Sequence, residues 1–139
     1  MGYRVGVAGL RRGWAVASVA SMFDDLELVA ACDLEPSLLD RARAELGVEE
    51  GYEDYGAFLA HDMDAVIVAT PPHLHAAHSV TALEAGHHVL CEVPMIYGET
   101  ADDVMGQARS LVSAVEKADA VFMFAENCNY WWWVGDWRE

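Results

Sequence analysis

The sequence predicts a single α/β domain built on a doubly wound parallel sheet, and three observations predict it. Short apolar runs rich in valine alternate with segments of helical spacing from the first residues onward. Turns bearing glycine or proline follow several of these runs, as at Gly9 and at Pro71-Pro72. No linker, repeat or low-complexity tract divides the 139 residues, which suffice for one sizeable core. This βαβα order implies right-handed crossovers with helices on both faces of the sheet.

Strands are predicted where apolar runs are bounded by turn residues. The predicted strands are Tyr3–Ala8, Leu26–Cys32, a brief strand at Tyr52, Ala65–Ala69, His88–Cys91 and Ala120–Ala125. Helices are predicted where apolar residues recur at helical spacing between Pro, Gly or capping residues. The predicted helices are Ala15–Met22, a segment from Pro36 to Gly47, Asp54–Ala60, His73–Ala85 and Thr100–Lys117. Thr100 is expected to cap the last helix, because Asp102 and Asp103 follow in its first turn.

Acidic residues dominate the charge of the chain. There are 23 Asp and Glu residues against 8 Lys and Arg, which gives a formal net charge of -15. Binding a phosphate backbone or an anionic lipid surface normally requires clustered Lys and Arg. We therefore expect neither nucleic acid nor a membrane as a partner, and the acidity is explained most simply by solubility.

The three cysteines predict free thiols. Cys32, Cys91 and Cys128 are odd in number and widely spaced, with no CxxC pair, which argues against a disulfide framework or a zinc knuckle. The first predicted strand begins at Tyr3 with no charged leader, and no apolar run approaches the roughly 18 residues of a membrane span. The expected location is the cytoplasm.

Three histidines in one segment raise the question of a metal site. His73, His75 and His78 lie close together in sequence, and imidazole is a common zinc ligand. His75 and His78 share a helix face, whereas His73 need not, and no Asp or Cys completes a tight set. We therefore predict no metal site.

The segment from Gly9 to Gly13 is where we expect a diphosphate to bind. A glycine turn lets backbone N–H groups and the positive N-terminal end of the following helix face an anion. Gly9-Leu10-Arg11-Arg12-Gly13 is a GxxxG pattern and lacks the middle glycine of the GxGxxG fingerprint. Arg11 and Arg12 are either cationic contacts to the diphosphate or solvent-exposed loop residues, and the sequence leaves both alternatives open.

Asp33 closes the second predicted strand and strengthens this interpretation. It follows the glycine turn at close to the spacing of about 20 residues at which the second strand delivers a carboxylate to an adenosine ribose. A carboxylate there accepts hydrogen bonds from ribose hydroxyls and repels a 2′-phosphate. Because apolar Leu34 rather than Arg follows it, NAD is favoured over NADP. The alternative is an acidic residue in a surface loop.

At this point the sequence resembles the Gfo/Idh/MocA oxidoreductases, a family named for glucose-fructose oxidoreductase and inositol dehydrogenase. The resemblance covers nearly the whole chain and rests on three motifs. These are Val5-Gly6-Val7-Ala8-Gly9, Ala69-Thr70-Pro71-Pro72-His73-Leu74-His75 and Ala82-Leu83-Glu84-Ala85-Gly86-His87-His88-Val89-Leu90-Cys91-Glu92-Val93-Pro94. The resemblance implies an NAD(P)-binding Rossmann domain over residues 1–126. It also implies that residues 127–139 begin a linker helix toward a substrate domain that is absent from this chain.

The resemblance also implies cofactor contacts at two later turns. By position, the ribose and nicotinamide side is lined by Thr70, Pro71, Pro72 and His75, and the turn near the nicotinamide is formed by Glu92 and Pro94. Asn127, next to Glu126, closes the last strand at the same sheet edge. It is expected either to contact the nicotinamide amide or a substrate, or to form a structural hydrogen bond.

One departure from the family pattern concerns catalysis. Val93 stands where the family motif usually has the lysine of Glu-Lys-Pro, which is implicated in proton transfer with the substrate hydroxyl. Valine has no proton to give, so the catalytic residues of this chain are unknown. The acid/base His and Asp that the family normally draws from its second domain are also missing.

The end of the chain is rich in tryptophan. Trp131, Trp132, Trp133 and Trp137 crowd into an apparent helix, in which Trp133 and Trp137 share one face. A contiguous aromatic patch usually marks an interface, so we expect contact with another domain or another chain. Base stacking is disfavoured because no basic groove accompanies the rings.

The leading hypothesis is the nucleotide-binding part of an NAD-dependent oxidoreductase that acts on a sugar, polyol or related hydroxyl compound. Hydride would pass between the hydroxyl carbon and the nicotinamide, and this chain alone would bind without turnover. The expected partner of the full-length form is a carbohydrate-like substrate. Two alternatives stay open. One is a non-catalytic dinucleotide sensor or partner subunit that docks through its tryptophans, and the other is an NAD-dependent glycosidase of the same family.

Overall fold

Six parallel strands form the sheet in the computed structural model, which describes residues 2–127. The strands are β1 Tyr3–Ala8, β2 Leu26–Cys32, β3 Glu50–Tyr52, β4 Ala65–Val68, β5 His88–Cys91 and β6 Phe122–Phe124. Their order across the sheet is β3-β2-β1-β4-β5-β6, and all neighbours pair in parallel. The carboxyl ends of the strands therefore meet at one edge, and the predicted doubly wound parallel sheet is confirmed.

Five helices cover the two faces of this sheet within the described residues. They are α1 Gly13–Ala20, α2 Pro36–Leu46, α3 Tyr55–Leu59, α4 Pro72–Glu84 and α5 Ala101–Lys117. Alternate residues of the central strands enter two separate apolar layers, because successive side chains of a strand point to opposite faces. Val7 and Ile67 pack with α1 and α2, whereas Val66 and Val68 pack with α3, α4 and α5.

The strand order reverses between β1 and β4, and this reversal positions the site. Strand β1 pairs with β2 on one side and with β4 on the other. The chain therefore leaves β1 toward one half of the sheet and leaves β4 toward the other. In open α/β sheets a crevice forms at the carboxyl ends of two such strands, and ligands bind there.

The predicted boundaries lie within two residues of the observed ones, and α1 shows the physical reason for one such shift. Helix α1 begins at Gly13 rather than Ala15, because the turn after β1 leads directly into it. It ends at Ala20 rather than Met22, since the N–H of Met22 turns back to the carbonyl of Val19. The predicted cap of α5 is confirmed: the Thr100 side chain accepts a hydrogen bond from the N–H of Asp103 and forms a capping box.

No helix between residues 2 and 127 is both long and apolar enough to cross a membrane. The predictions made for Cys128, Trp131, Trp132, Trp133 and Trp137 lie outside the described residues.

Candidate functional site

Gly9 forms the turn that follows β1 at the crevice. Its φ of 88° lies in the left-handed region, and its N–H donates to the carbonyl of Cys32 at 2.8 Å. A Cβ added here would collide with the carbonyl oxygen of Ala69 and would lie 2.6 Å from the backbone nitrogen of Thr70. Only glycine allows the end of β1 to lie this close to the end of β4.

Gly13 has a different role at the start of α1. A Cβ at this position would lie 2.9 Å from Cγ2 of Val7 and 3.1 Å from Cβ of Ala69, so the absence of a side chain lets α1 pack closely on the sheet. The missing middle glycine is replaced by Arg11, whose side chain is 81% exposed and pairs with Glu35. Within residues 2–127 the backbone N–H groups of Arg11 and Arg12 form no hydrogen bond, which leaves two donors for an anion.

Asp33 lies beside this turn at the end of β2. One carboxylate oxygen accepts a hydrogen bond from the N–H of Leu10 at 2.8 Å, and the other accepts from the N–H of Glu35 at 3.0 Å. The carboxylate is therefore held in a fixed orientation next to the glycine turn, as the sequence predicts. Each oxygen keeps a second lone pair, which suits the two hydroxyls of a ribose.

The two arginines of the turn point toward opposite halves of the sheet. Nη2 of Arg11 lies 2.7 Å from Oε2 of Glu35, beyond β2, and Nε of Arg12 lies 3.3 Å from Oε1 of Glu92, at the end of β5. The other oxygen of Glu35 accepts a hydrogen bond from the Ser37 hydroxyl at 2.7 Å. The sequence predicts a helix entry at Glu35-Pro36-Ser37 but does not assign Glu35 or Ser37 to the site. Their position within four residues of Asp33 is the signal that could have found them.

His75 connects the turns that follow β4 and β5. Its ring is buried, with Nδ1 2.8 Å from the carbonyl oxygen of Pro94 and Nε2 2.5 Å from that of Thr70. Both ring nitrogens are thus engaged with the backbone, so the ring positions the two turns. The Thr70 hydroxyl is buried and has no hydrogen-bond partner within the described residues. Such an orphaned polar atom at the crevice fits a site that a polar ligand completes.

Pro71 and Pro72 start α4 at the same edge, and both are exposed. Pro71 is the N-cap residue and Pro72 is the first residue of the helix, where proline is well tolerated because the N–H it lacks would have no helical partner.

Glu92 lies at the bottom of a cleft between α1 and the end of β6. Its side chain is only 5% exposed, and one carboxylate oxygen accepts a hydrogen bond from the N–H of Val93 at 3.3 Å. Val93 itself is exposed, and the Val93–Pro94 peptide is cis. Asn127 and Arg12 line the same cleft, whose volume is about 710 Å³. The structure thus brings Asn127 near Glu92, at the edge of the sheet where the sequence analysis placed it.

The remaining histidines of this segment do not form a metal site. His73 is exposed, and His78 stacks on Tyr55 with ring centroids 4.0 Å apart. Burial lowers the pKa of His78 below its ordinary value, and the nearby His75 and His73 lower it further. In the part of the chain that the structure describes, no group of three or more His, Cys, Asp or Glu residues could hold a metal ion.

The two described cysteines are free and buried. Burial raises the pKa of the Cys32 thiol to about 12, and the charges of Asp33 and Asp54 raise it further. Burial also raises the pKa of Cys91. Neither thiol is therefore suited to act as a nucleophile at neutral pH.

Three features together define a dinucleotide-binding domain of the Rossmann type. They are a glycine turn at the reversal of strand order, two backbone donors with no partner among residues 2–127, and a fixed carboxylate at the end of the second strand. The residues present fit such a ligand. Comparison with known proteins agrees: residues 3–126 match the family model described as "Oxidoreductase family, NAD-binding Rossmann fold". The chain belongs to the Gfo/Idh/MocA oxidoreductase family, which confirms the resemblance seen in its sequence.

The proteins similar to this chain differ in their named functions. A glycosyl hydrolase family 109 protein from Shewanella pealeana is 29% identical over 140 residues, which cover 91% of this chain and 29% of that protein. The crystal structure of scyllo-inositol dehydrogenase from Lactobacillus casei with NAD(H) and scyllo-inositol is 30% identical with a TM-score of 0.77, covering 90% of this chain and 36% of that one. A 3-ketoreductase from Actinomadura kijaniata in complex with TDP-benzene and NADP is 29% identical with a TM-score of 0.77. The match covers 89% of this chain and 38% of that one.

The chain therefore spans 29% of the length of the curated relative and between 36% and 38% of the two solved structures. The similarity is to an NAD-binding domain of larger oxidoreductase-family proteins, among which sugar and polyol dehydrogenases are found.

Proposed function

We propose that this chain binds NAD across the carboxyl edge of the sheet, as the nucleotide-binding part of an oxidoreductase that acts on a sugar, polyol or related hydroxyl compound. One observation carries the proposal: the Asp33 carboxylate is fixed by the N–H of Leu10 beside the Gly9 turn, at the reversal of strand order. Its free lone pairs accept hydrogen bonds from the adenosine ribose, as expected for a dinucleotide domain of this type.

Each predicted site residue then has a place along the ligand. The diphosphate lies against the turn formed by Gly9, Leu10, Arg11, Arg12 and Gly13, and the nicotinamide side lies against Thr70, Pro71, Pro72, His75, Glu92, Pro94 and Asn127. The backbone N–H groups of Arg11 and Arg12 are the donors for the diphosphate. His75 acts as a positioning residue, because its ring holds the carbonyls of Thr70 and Pro94.

When bound, NAD supplies the hydride-accepting or hydride-donating carbon, which is chemistry that no side chain provides. The residues of this chain bind and orient the ligand, and they keep water from one side of it. Val93 cannot move a proton, so proton transfer belongs to a substrate domain. We propose that residues 127–139 begin the connection to that domain. The 29% coverage of the curated relative supports this division, and we expect no turnover by this chain alone.

Titration of the purified chain with NAD by isothermal calorimetry tests the proposal. We expect saturable binding that Asp33→Ala weakens at least about tenfold, because it removes charged acceptors of two hydrogen bonds. Asp33→Asn keeps the size of the side chain and removes its charge, and Asp24→Ala removes an exposed carboxylate far from the crevice as the matched control. Absence of NAD binding, or equal affinity in the Asp33 and Asp24 variants, contradicts the proposal.

A second candidate function, an NAD-dependent glycosidase, is supported by the relative named as a glycosyl hydrolase of family 109. The same nucleotide site would serve both reactions, since the two differ in what the substrate domain does with the oxidised sugar. Release of 4-nitrophenol from 4-nitrophenyl glycosides by a form of the protein that includes a substrate domain tests it. Release that does not depend on added NAD counts against it.

A docking role for Trp131, Trp132, Trp133 and Trp137 is a further proposal. It is supported by the apolar cleft beside Asn127, which the exposed side chains of Val19, Phe23 and Met123 line. Size-exclusion chromatography of the chain with Trp133 and Trp137 replaced by glutamine tests for docking between copies. A monomer both before and after replacement argues against it.

We also propose that the protein works in a reducing, cytoplasmic setting. The buried, unpaired thiols of Cys32 and Cys91 support this, because extracellular domains of this size commonly pair their cysteines. Detection of the protein in a periplasmic or secreted fraction would contradict it.

A further inference from the structure

We propose that Glu35 adds to the preference for NAD over NADP that Asp33 is expected to set, because the Glu35 carboxylate occupies the position beside the ribose that a 2′-phosphate would need. This inference rests on the proposed function, since it concerns the ribose end of the same site. Glu35 follows Asp33 closely in sequence and lies between β2 and α2. The Rossmann fingerprint does not account for its contacts.

Donors that suit a phosphate converge on the Glu35 carboxylate. Oε2 accepts a hydrogen bond from Nη2 of Arg11 at 2.7 Å, and Oε1 accepts one from the hydroxyl of Ser37 at 2.7 Å. A guanidinium group and a hydroxyl are common donors to phosphate oxygens. Arg11 and Ser37 are thus donors that would suit a phosphate, but in this chain they donate to the carboxylate of Glu35.

The position of this pair relative to the ribose follows from the backbone around Asp33. The N–H of Leu10 donates to Oδ2 of Asp33, and Arg11 is the next residue. The N–H of Glu35 itself donates to Oδ1 of the same carboxylate. The backbone N–H groups of Leu10 and Glu35 therefore hold the two oxygens of Asp33. Because Arg11 follows Leu10 directly and pairs with Glu35, this ion pair lies close to the group proposed to bind the ribose hydroxyls.

The charges at this point oppose a 2′-phosphate. Asp33 and Glu35 carry two negative charges against the one positive charge of Arg11, so the cluster is negative before any ligand arrives. A 2′-phosphate would bring further negative charge to two carboxylates, while the available guanidinium is already engaged. NAD has only a hydroxyl at that position and meets no such repulsion.

The ion pair is also accessible enough to be released by a single substitution. The side chains of Arg11 and Glu35 are 81% and 45% exposed, and such exposed pairs contribute little to folding stability. Glu35→Gln therefore leaves the fold in place, removes one negative charge and frees the guanidinium of Arg11. The free guanidinium and the Ser37 hydroxyl then become available to a 2′-phosphate.

The test compares the dissociation constants for NADP and NAD by calorimetry in the wild-type chain and three variants. In Glu35→Gln we expect NADP to bind at least about tenfold more tightly than in the wild type, so that the ratio of the NADP to the NAD dissociation constant falls by a similar factor. Adding Arg11→Gln to Glu35→Gln should restore the wild-type ratio. Glu45→Gln is the matched control, because Glu45 forms an exposed pair with Arg41 on α2, at 3.0 Å, away from the crevice.

The outcomes separate this inference from the proposed function. Wild-type chain that does not bind NAD removes the proposed function, and the inference with it. Chain that binds NAD, but whose NADP affinity is unchanged by Glu35→Gln, overturns the inference alone. An equal gain in Glu45→Gln also overturns it, since the effect would then come from net charge. Thermal unfolding of each variant verifies that the measured protein is folded.

Discussion

At the scale of single residues, Gly9 meets two separate requirements. Its left-handed φ of 88° disfavours any side chain, and its Cβ position is filled by the backbone at Ala69 and Thr70. Gly47 meets only the first requirement: its φ is 71°, but within residues 2–127 no atom outside Gly47 and its two chain neighbours lies within 4 Å of its Cβ position. Alanine substitutions at the two glycines therefore separate the free-energy cost of backbone strain from the cost of close packing.

We expect Gly9→Ala to lower the free energy of unfolding by about 2 kcal/mol more than Gly47→Ala does. Both substitutions carry the left-handed penalty of about 1–2 kcal/mol, and only the first adds the overpacking cost of about 1–3 kcal/mol. Urea denaturation measures both values. Equal losses in the two variants would show that the turn moves away from β4 without cost.

His78 gives a pH-dependent prediction. Its pKa is lowered in the folded chain, first by burial, so the unfolded chain binds more protons as the pH falls below the ordinary value of 6.5. The stabilisation is complete above that value and is lost as the pH falls through the lower folded pKa. We expect His78→Gln to lose less stability than the wild type when urea denaturation at pH 7 is compared with pH 5.

His73→Gln is the comparison variant for this experiment, because His73 is exposed and lies on the same helix, and its charge is the smallest of the three causes that lower the pKa of His78. It should follow the wild-type pH dependence closely, with a slightly smaller loss of stability at pH 5. If His78→Gln also follows it, the stacked ring of His78 does not contribute to the acid sensitivity of the fold.

The sequence predicted where the candidate site residues lie better than it predicted which side chains they contact. Gly9 and Asp33 lie where the fingerprint places them, because both depend on local turns at strand ends. The pairs Arg11–Glu35 and Arg12–Glu92 join residues 24 and 80 positions apart. Such pairs follow from how the strands align in the sheet, and a single sequence does not contain that alignment.

At the scale of elements, a helix cap is a short sequence pattern that contributes directly to the free energy of unfolding. Helix α5 begins with a capping box in which Thr100 and Asp103 satisfy each other's backbone N–H groups. Some strand ends can also be predicted from the sequence. Strands β1, β2 and β5 begin and end at the predicted residues, because each is a short apolar run bounded by turn residues. Strand β6 is shorter than predicted, at Phe122–Phe124, because an edge strand pairs on one side only.

We expect Thr100→Ala to lower the free energy of unfolding by about 1 kcal/mol, the usual value for a lost N-cap. Thr81→Ala is the control, because the Thr81 hydroxyl donates only to the carbonyl of Ala77 inside α4 and the substitution favours the helix. Urea denaturation of both variants measures the difference. A smaller loss in Thr100→Ala than in Thr81→Ala would mean that the capping box does not stabilise α5.

At the scale of the whole molecule, the net charge of -15 opposes the compact state. Repulsion between surface carboxylates acts over distances that salt screens, with a Debye length of about 10 Å at 0.1 M salt. The exposed ion pairs of the chain weaken under the same conditions, but each contributes little. Screening of the repulsion between carboxylates should therefore outweigh the weakening of the ion pairs, so that added salt stabilises the fold.

We expect the midpoint of thermal unfolding to rise by several degrees between about 0.05 M and 0.5 M sodium chloride, where about 1 kcal/mol corresponds to roughly 4 °C for a chain of this size. Sodium iodide at the same ionic strength is the control, because screening depends on ionic strength and not on the anion. A midpoint that falls with added chloride would show that the ion pairs outweigh the repulsion.

The buried ring of His75 has a consequence for how the crevice responds to a ligand. The imidazole of His75 contacts the carbonyl oxygens of Thr70 and Pro94. The same side chain therefore joins the loop after β4 to the loop after β5. Displacing either loop breaks a buried polar contact unless the other loop follows. We therefore expect a displacement of the loop after β4 to be coupled, through the His75 ring, to the loop after β5.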